Sequence, residues 1–289
     1  MLVQGVLSLI AFMGYIAYSL TRVVREPVGQ TPADVGLEYE EVTFPSRVDH
    51  LALRGWWIQR SDEERCIILV HGGEKHRADP YIGMLSVARD LAGRGCCVLL
   101  FDLRGHGESE GKRSSLGYYE RRDLLGAIDY VLNRGIAHHR IGILGFSLGA
   151  AIALLVASGD GLGVPVVSDS SFADLPALIK REASRRIDLP GVFNLGWMWM
   201  TRAMYGVDLG AIRPVEAIKK LPAGRVLIIH GAEDETVPLA DAHTLHDASN
   251  NAGDGLWIVP GASHVRSYRT YPEEYVSRVV SFFDQALKT

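Results

Sequence analysis

Ser147 stands between two glycines in LGFSLGA, residues 144–150. The apolar run RIGIL precedes it and AAIALLVA follows. By composition alone a G-x-S-x-G pattern turns up in about one chain in ten of this length, so the pattern is weak without its context. Here a buried strand ends at Gly145 and a helix begins by Leu148. A turn that tight strains the serine backbone, and side chains at the flanking positions would clash, hence the glycines. The turn lifts the hydroxyl clear of the sheet edge and aims the first amides of the helix at a developing negative charge. The bland alternative is a serine that simply caps a helix.

A serine hydroxyl is a poor nucleophile at neutral pH and needs a base, which in turn needs an orienting acid. PGASHVRS, 260–267, offers His264 between a strand and the final helix. GAEDETVP, 231–238, offers Asp234 just after the strand RVLIIH. Two carboxylates rival Asp234: its neighbour Glu233, and Asp169 at the end of the preceding strand in VVSDSSF. In a parallel sheet all these loops leave from one carboxyl edge, and the chain order is Ser, Asp, His. His138 and His139 precede the strand RIGIL, at the opposite edge, and no Cys or His spacing supports zinc.

Such convergence requires alternating strands and helices. LEYEEVTFP and LALRGWWIQ, 37–45 and 51–59, suit an antiparallel hairpin at a sheet edge. CIILV, CCVLLFD, RIGILG, VPVVSD, RVLIIHG and GLWIVPG are short apolar strands, several with the look of burial on both faces. YIGMLSVARDLAGRG, YYERRDLLGAIDYVLNRG, SLGAAIALLVASG and PEEYVSRVVSFFDQALK read as helices. The expected fold class is α/β, a mostly parallel sheet with helices on both faces. One crossover helix does not need residues 170–221, so an inserted helical cap over about 171–215 is expected. Within it GWMWM, 196–200, suits either the core of the cap or an apolar pocket containing Trp197, Met198 and Met200.

Net charge is −4 over 289 residues and there is no long basic run, so no nucleic-acid partner is expected. Three cysteines, Cys66, Cys96 and Cys97, lie in or beside apolar runs and make no disulfide framework. Residues 2–20 carry no charge, and as a helix would reach roughly 28 Å. With Tyr15 and Tyr18 near one end and Arg22 and Arg25 just beyond, residues 1–21 are expected to form a single transmembrane anchor with the main domain in the cytoplasm. A cleaved signal peptide, giving a secreted protein, is the alternative. TRVVREPVGQTPADVG, within 21–36, reads as a linker, and residues 37–289 as the main domain.

Five stretches together resemble the α/β-hydrolase superfamily over roughly 37–289. LVHGGE, 69–74, is similar to its His-Gly turn, and DLRGHGES, 102–109, to its Asp-x-Arg-Gly-x-Gly-x-Ser loop. GFSLGA is similar to the nucleophile elbow, GAEDETVP to the acid turn and GASH to the histidine turn. The anchored, short-capped layout further resembles the Bem46-like and serine aminopeptidase-type branch. The resemblance implies the triad Ser147, Asp234 and His264, and favours Asp234 over Asp169. It implies an oxyanion hole from the amides of Leu148 and Gly73, with Glu74 as the nearby alternative to Gly73. It implies that His71 braces its loop rather than acting in catalysis, and that Asp102, Arg104 and His106 fix the shape of theirs. No cofactor or metal is implied. The expected reaction is hydrolysis of a carboxylic ester or thioester with an apolar acyl group. An aminopeptidase or amidase is the runner-up. It requires an acidic group such as Glu182 or Asp188 to hold an amine, although KREASRR, 180–186, is mostly basic. A non-catalytic tethered scaffold is the third reading.

Overall fold

In the computed structural model, which describes residues 2–59, 65–159, 162–186, 192–249 and 253–287, the short apolar runs become one eight-stranded sheet. The strands are β1 (Glu40–Pro45), β2 (Ala52–Ile58), β3 (Cys66–Val70), β4 (Cys97–Phe101), β5 (Ile141–Phe146), β6 (Val166–Asp169), β7 (Val226–Gly231) and β8 (Gly255–Val259). Their order is β1-β2-β4-β3-β5-β6-β7-β8. β2 runs antiparallel to both β1 and β4, and the neighbours from β4 to β8 pair in parallel. The helices are α1 (Leu2–Thr21), α2 (Met84–Ala92), α3 (Glu120–Asn133), α4 (Leu148–Ala157), α5 (Leu175–Arg186), α6 (Val192–Tyr205), α7 (Pro214–Ile218), α8 (Leu239–Ser249), α9 (Ser267–Thr270) and α10 (Pro272–Ala286).

Strand residues alternate between two cores because successive side chains leave opposite faces. Cys66, Ile68 and Val70 of β3 join one apolar cluster with Leu124 and Ile128 of α3 and Ile152 of α4. Ile67 and Leu69 join the other with Val87 and Leu91 of α2 and Val279 and Phe283 of α10. Every residue of β3, β4 and β5 is buried, as a doubly covered parallel strand must be. The chain winds outward from β3 in one direction to β4 and in the other through β5. That reversal opens a crevice beyond the carboxyl ends of β3 and β5.

Between β6 and β7 lie α5, α6, a 3₁₀ turn, Leu209–Ala211, and α7, over the stretch where the insertion was expected. Residues 1–21 do hold a helix, α1, but among the described residues no helix is long and apolar enough to cross a membrane. From Met13 onward α1 leans on protein: Met13, Ile16 and Leu20 pack against the core cluster that contains Trp197 of α6. The stretch expected as a linker lies along the domain. Arg25 donates to the carbonyls of Gly107 and Gly111 at 2.9 and 2.8 Å, and Pro32–Val35 forms a 3₁₀ turn.

Candidate active site

Ser147 sits between the last residue of β5 and the first of α4, with φ 52° and ψ −115°. An L-residue rarely holds positive φ, and such strain concentrates at functional sites. The flanking glycines permit it. An ideal Cβ at Gly145 would stand 2.6 Å from the Ala150 backbone, and one at Gly149 2.5 Å from the His71 carbonyl oxygen. Alanine at either position would push strand and helix apart. The Ser147 amide donates to the Asp169 carbonyl at 2.8 Å, which pins the elbow to β6.

The three expected side chains meet above the crevice. Ser147 Oγ lies 3.0 Å from His264 Nε2, and His264 Nδ1 lies 2.7 Å from Asp234 Oδ2. The ionised Asp234 can only accept, so the ring proton belongs on Nδ1 and Nε2 is left to accept from the serine. Asp234 is held rigidly: its Oδ1 accepts from the amides of Thr236 and Val237 at 2.9 and 2.8 Å, and its side chain is 0% exposed. His230 stands behind it, with Nε2 3.4 Å from Asp234 Oδ2 and 3.0 Å from the Val237 carbonyl. Burial lowers the His230 pKa and so favours the neutral ring. Glu233, one residue away, is exposed.

Asp169 does not reach the imidazole as a hydrogen-bond partner. Its Oδ1 accepts from Ser170 Oγ at 2.9 Å and from Ser267 Oγ at 3.4 Å. Its Oδ2 accepts from Tyr275 Oη at 3.0 Å. Ser170 Oγ in turn accepts from the Val265 amide at 3.1 Å, next to His264. Burial pushes the Asp169 carboxyl up to about 6 despite those hydroxyls. Sequence reasoning weighed Asp169 only as a rival acid and missed Ser170, Ser267 and Tyr275. The one available signal was the unbroken polar run Asp169-Ser170-Ser171 after a buried strand.

Gly72 and Gly73 follow β3 and lie against the elbow. Ideal Cβ atoms on them would stand 3.5 Å from Ser147 Cβ and 3.5 Å from Leu148 Cδ2, respectively. The Leu148 amide belongs to the first turn of α4, where amides have no intrahelical acceptor. Glu74 is exposed on the same turn with φ 58°. His71 is buried and links two loops: its Nδ1–H donates to the Gly72 carbonyl at 2.7 Å and its Nε2 accepts from the Leu103 amide at 3.0 Å. Burial, then the His106 ring, holds its pKa well below the ordinary imidazole value, which keeps it neutral. Asp102 accepts from the Arg77 and Glu108 amides at 2.7 and 2.9 Å. Arg104 forks onto Asp123, and His106 Nδ1 pairs with the Arg104 carbonyl. These residues shape their loop and touch none of the three side chains above.

The GWMWM residues do not form one wall. Trp197 is buried in the same apolar cluster as Leu148, Met198 and Met200 are half-buried, and Trp199 faces outward, 67% exposed. Glu182 lies 3.9 Å from Arg181 on α5, and Asp188 lies outside the described residues. His138 and His139 form a 3₁₀ turn before β5, at the edge opposite the elbow. Among the described residues no group of three His, Cys, Asp or Glu side chains could hold a metal ion.

A nucleophile-elbow serine at the switch point of a doubly covered sheet defines the α/β hydrolases. Residues 67–278 match the model of the alpha/beta hydrolase family, and the chain belongs to that family. It is similar to YqkD of Bacillus subtilis, 27% identical over 241 residues that cover 80% of this chain and 75% of the relative. It is also similar to YfhR of Salmonella typhi, 28% identical over 277 residues covering 90% and 85%. Among solved structures it resembles the Pyrococcus furiosus esterase Pf2001, at TM-score 0.75 and 26% identity over 92% of this chain and 98% of that one.

Proposed function

We propose that the protein is a serine esterase that cleaves carboxylic esters or thioesters through an acyl-enzyme on Ser147. The observation that carries this reading is the unbroken chain from Ser147 Oγ to His264 at 3.0 Å and from His264 to Asp234 at 2.7 Å. The likeness to the Pyrococcus furiosus esterase supports it.

Ser147 Oγ attacks the acyl carbon and its proton passes to His264 Nε2. The carbonyl π pair moves to oxygen, and the amides of Leu148 and Gly73 receive that oxyanion. One such donor is worth about 3 kcal/mol of barrier. Asp234 holds Nδ1–H in place and stabilises the imidazolium without taking its proton. The oxyanion then collapses, the bond to the leaving oxygen or sulfur breaks, and Nε2–H protonates that group. Water repeats the sequence with His264 as base, releasing the acid and restoring Ser147. Esters suit this site better than peptides because their leaving groups depart more easily. The apolar Leu148 side chain, buried next to Ser147, is compatible with an apolar acyl chain.

The test is an activated short-chain aryl ester together with a fluorophosphonate probe. Wild-type protein should hydrolyse the ester and carry the label. Ser147→Ala should lose the label and about 10⁴–10⁶ of turnover. Absence of labelling where a control serine hydrolase labels, or a label retained in Ser147→Ala, would overturn the proposal.

A further inference from the structure

We propose that α1 and α6 together form a foot that docks the protein on one leaflet of a bilayer carrying anionic headgroups. The twenty residues of α1 include no acid or base. In its first half Leu7, Leu9, Ile10 and Phe12 are 60, 38, 49 and 41% exposed. At about 100° per residue those four positions point to all sides of the helix. Gln4 and Ser8 are the exposed polar residues of this half, and a helix whose other outward positions are all apolar calls for an apolar surrounding. A second copy of the chain would cover one stripe of it. A hydrocarbon layer covers every side.

The second half of α1 is not free to insert alone, because it is joined to α6. Met13 Sδ fills the notch left by Gly196, 2.5 Å from where a Cβ there would stand, and Met204 Sδ lies 3.8 Å from an ideal Cβ on Gly14. The helices meet again at their carboxyl ends. The Arg113 guanidinium lies 5.0 Å from the Tyr18 ring and 4.2 Å from the Tyr205 ring, and donates to Thr21 Oγ1 at 3.1 Å. Whatever surface takes up α1 therefore meets α6 as well. The outward residues of α6 suit that contact: Trp199 is 67% and Met204 46% exposed, and tryptophan favours the boundary between headgroups and acyl chains.

Charge supplies the second half of the argument. Where the two helices return to the body, Arg22, Arg25, Lys112 and Arg113 gather; of the acids in the same loop, Glu108 is engaged by Arg77 and Glu110 accepts from the Ala52 amide. Arg22 pairs backbone to backbone with Arg113, and Arg25 donates to the carbonyl of Gly111, beside Lys112. Arg202, on the last turn of α6, lies 3.3 Å from Asp208. Glu26, one residue after Arg25, is engaged by Lys75 at 3.1 Å. An apolar helix pair with a cationic collar matches the acyl layer and the anionic headgroups above it. This is a peripheral seat, in which α1 does not span.

Flotation of the full chain with phosphatidylcholine vesicles, with and without about 30% phosphatidylglycerol, tests it. The protein should float with the anionic vesicles and much less with neutral ones. Ile10→Glu with Phe12→Glu should abolish flotation. Arg22→Glu with Lys112→Glu should weaken it at least about thirtyfold, and Trp199→Asp should weaken it too. Each variant should keep the wild-type melting curve and the wild-type rate on a soluble ester, since none of these residues touches Ser147, His264 or Asp234. Failure of the wild type to float overturns the proposal, as does a stable dimer that buries α1 in solution. Equal flotation on both lipids overturns the role of the collar. An unaffected Trp199→Asp overturns the role of α6.

Discussion

Two carboxylates end neighbouring strands of the sheet, and they live under different physical rules. Asp234, just past β7, faces two fixed backbone amides on one oxygen and the His264 ring on the other. Asp169, at the end of β6, faces three hydroxyls from Ser170, Ser267 and Tyr275. Amide donors cannot rotate away, so Asp234 is held in one orientation toward the ring. Hydroxyls can donate or accept, so Asp169 can be either charged or neutral, and burial tips it toward neutral up to about pH 6. Asp234 orients the His264 imidazole. Asp169 ties the elbow, through its backbone carbonyl, to the histidine turn, through Ser170.

The sharpest test of this contrast is Asp234→Asn. The amide nitrogen can turn toward Nδ1 and donate to it, which moves the ring proton to Nε2 and removes the acceptor that Ser147 needs. The expected result is a loss of about 10⁴ in kcat with the fold intact, read by aryl ester hydrolysis and by thermal melting. A loss below about tenfold would show that Asp234 does not hold the tautomer and would return Asp169 to contention.

Asp169→Asn should act on stability more than on rate. The acid's folded pKa of about 6 lies above its ordinary 3.8, so the folded state holds the proton more tightly than the unfolded one. Below about pH 4 both states are protonated and nothing is lost. As pH rises through the folded value the penalty for ionising the buried group grows, then levels off near 3 kcal/mol, at 1.36 kcal/mol per unit. Asparagine carries no such penalty. Its stability relative to wild type should therefore increase between pH 4 and 7 and stay constant above, whatever its fixed difference in hydrogen bonding. Urea titrations of both proteins at pH 4.5 and 8 measure this, and a difference independent of pH would refute a raised Asp169. The kcat should fall by no more than about tenfold, with KM unchanged, because the imidazole keeps its direct partner.

Most of the geometry of the candidate site was legible in the sequence because it depends on where short strands end. Ser147, Asp234 and His264 each follow an apolar run too short for a helix, and loops after parallel strands share one edge. The contacts that tune the site were not legible. Tyr275 lies 106 residues from Asp169, and nothing local in YVSRVV announces that one hydroxyl turns into the sheet. The cap was unreadable for a different reason. Trp197 and Trp199 sit two positions apart, about 200° around a helix, so one must face in and the other out. Composition cannot choose, and the structure buries Trp197 and exposes Trp199. The seat of α1 likewise depends on a notch at Gly196 that matters only once Met13 fills it.

The smallest effect is predicted at Glu233, and its smallness is informative. Glu233 adjoins Asp234 in sequence and carries the same charge, so a purely electrostatic account of the acid would let either residue support His264. In the structure the two residues differ in direction. The Glu233 amide donates to the Ala262 carbonyl at 2.9 Å, which fixes the turn, while its side chain is left exposed. Across water a carboxylate exerts little on a neighbouring ring, since solvent and salt screen it. Glu233→Gln should then change kcat/KM by less than about twofold at 0.15 M salt, measured on the same aryl ester. A loss approaching that of Asp234→Asn would mean that net negative charge at the turn, and not one oriented oxygen, supports the base.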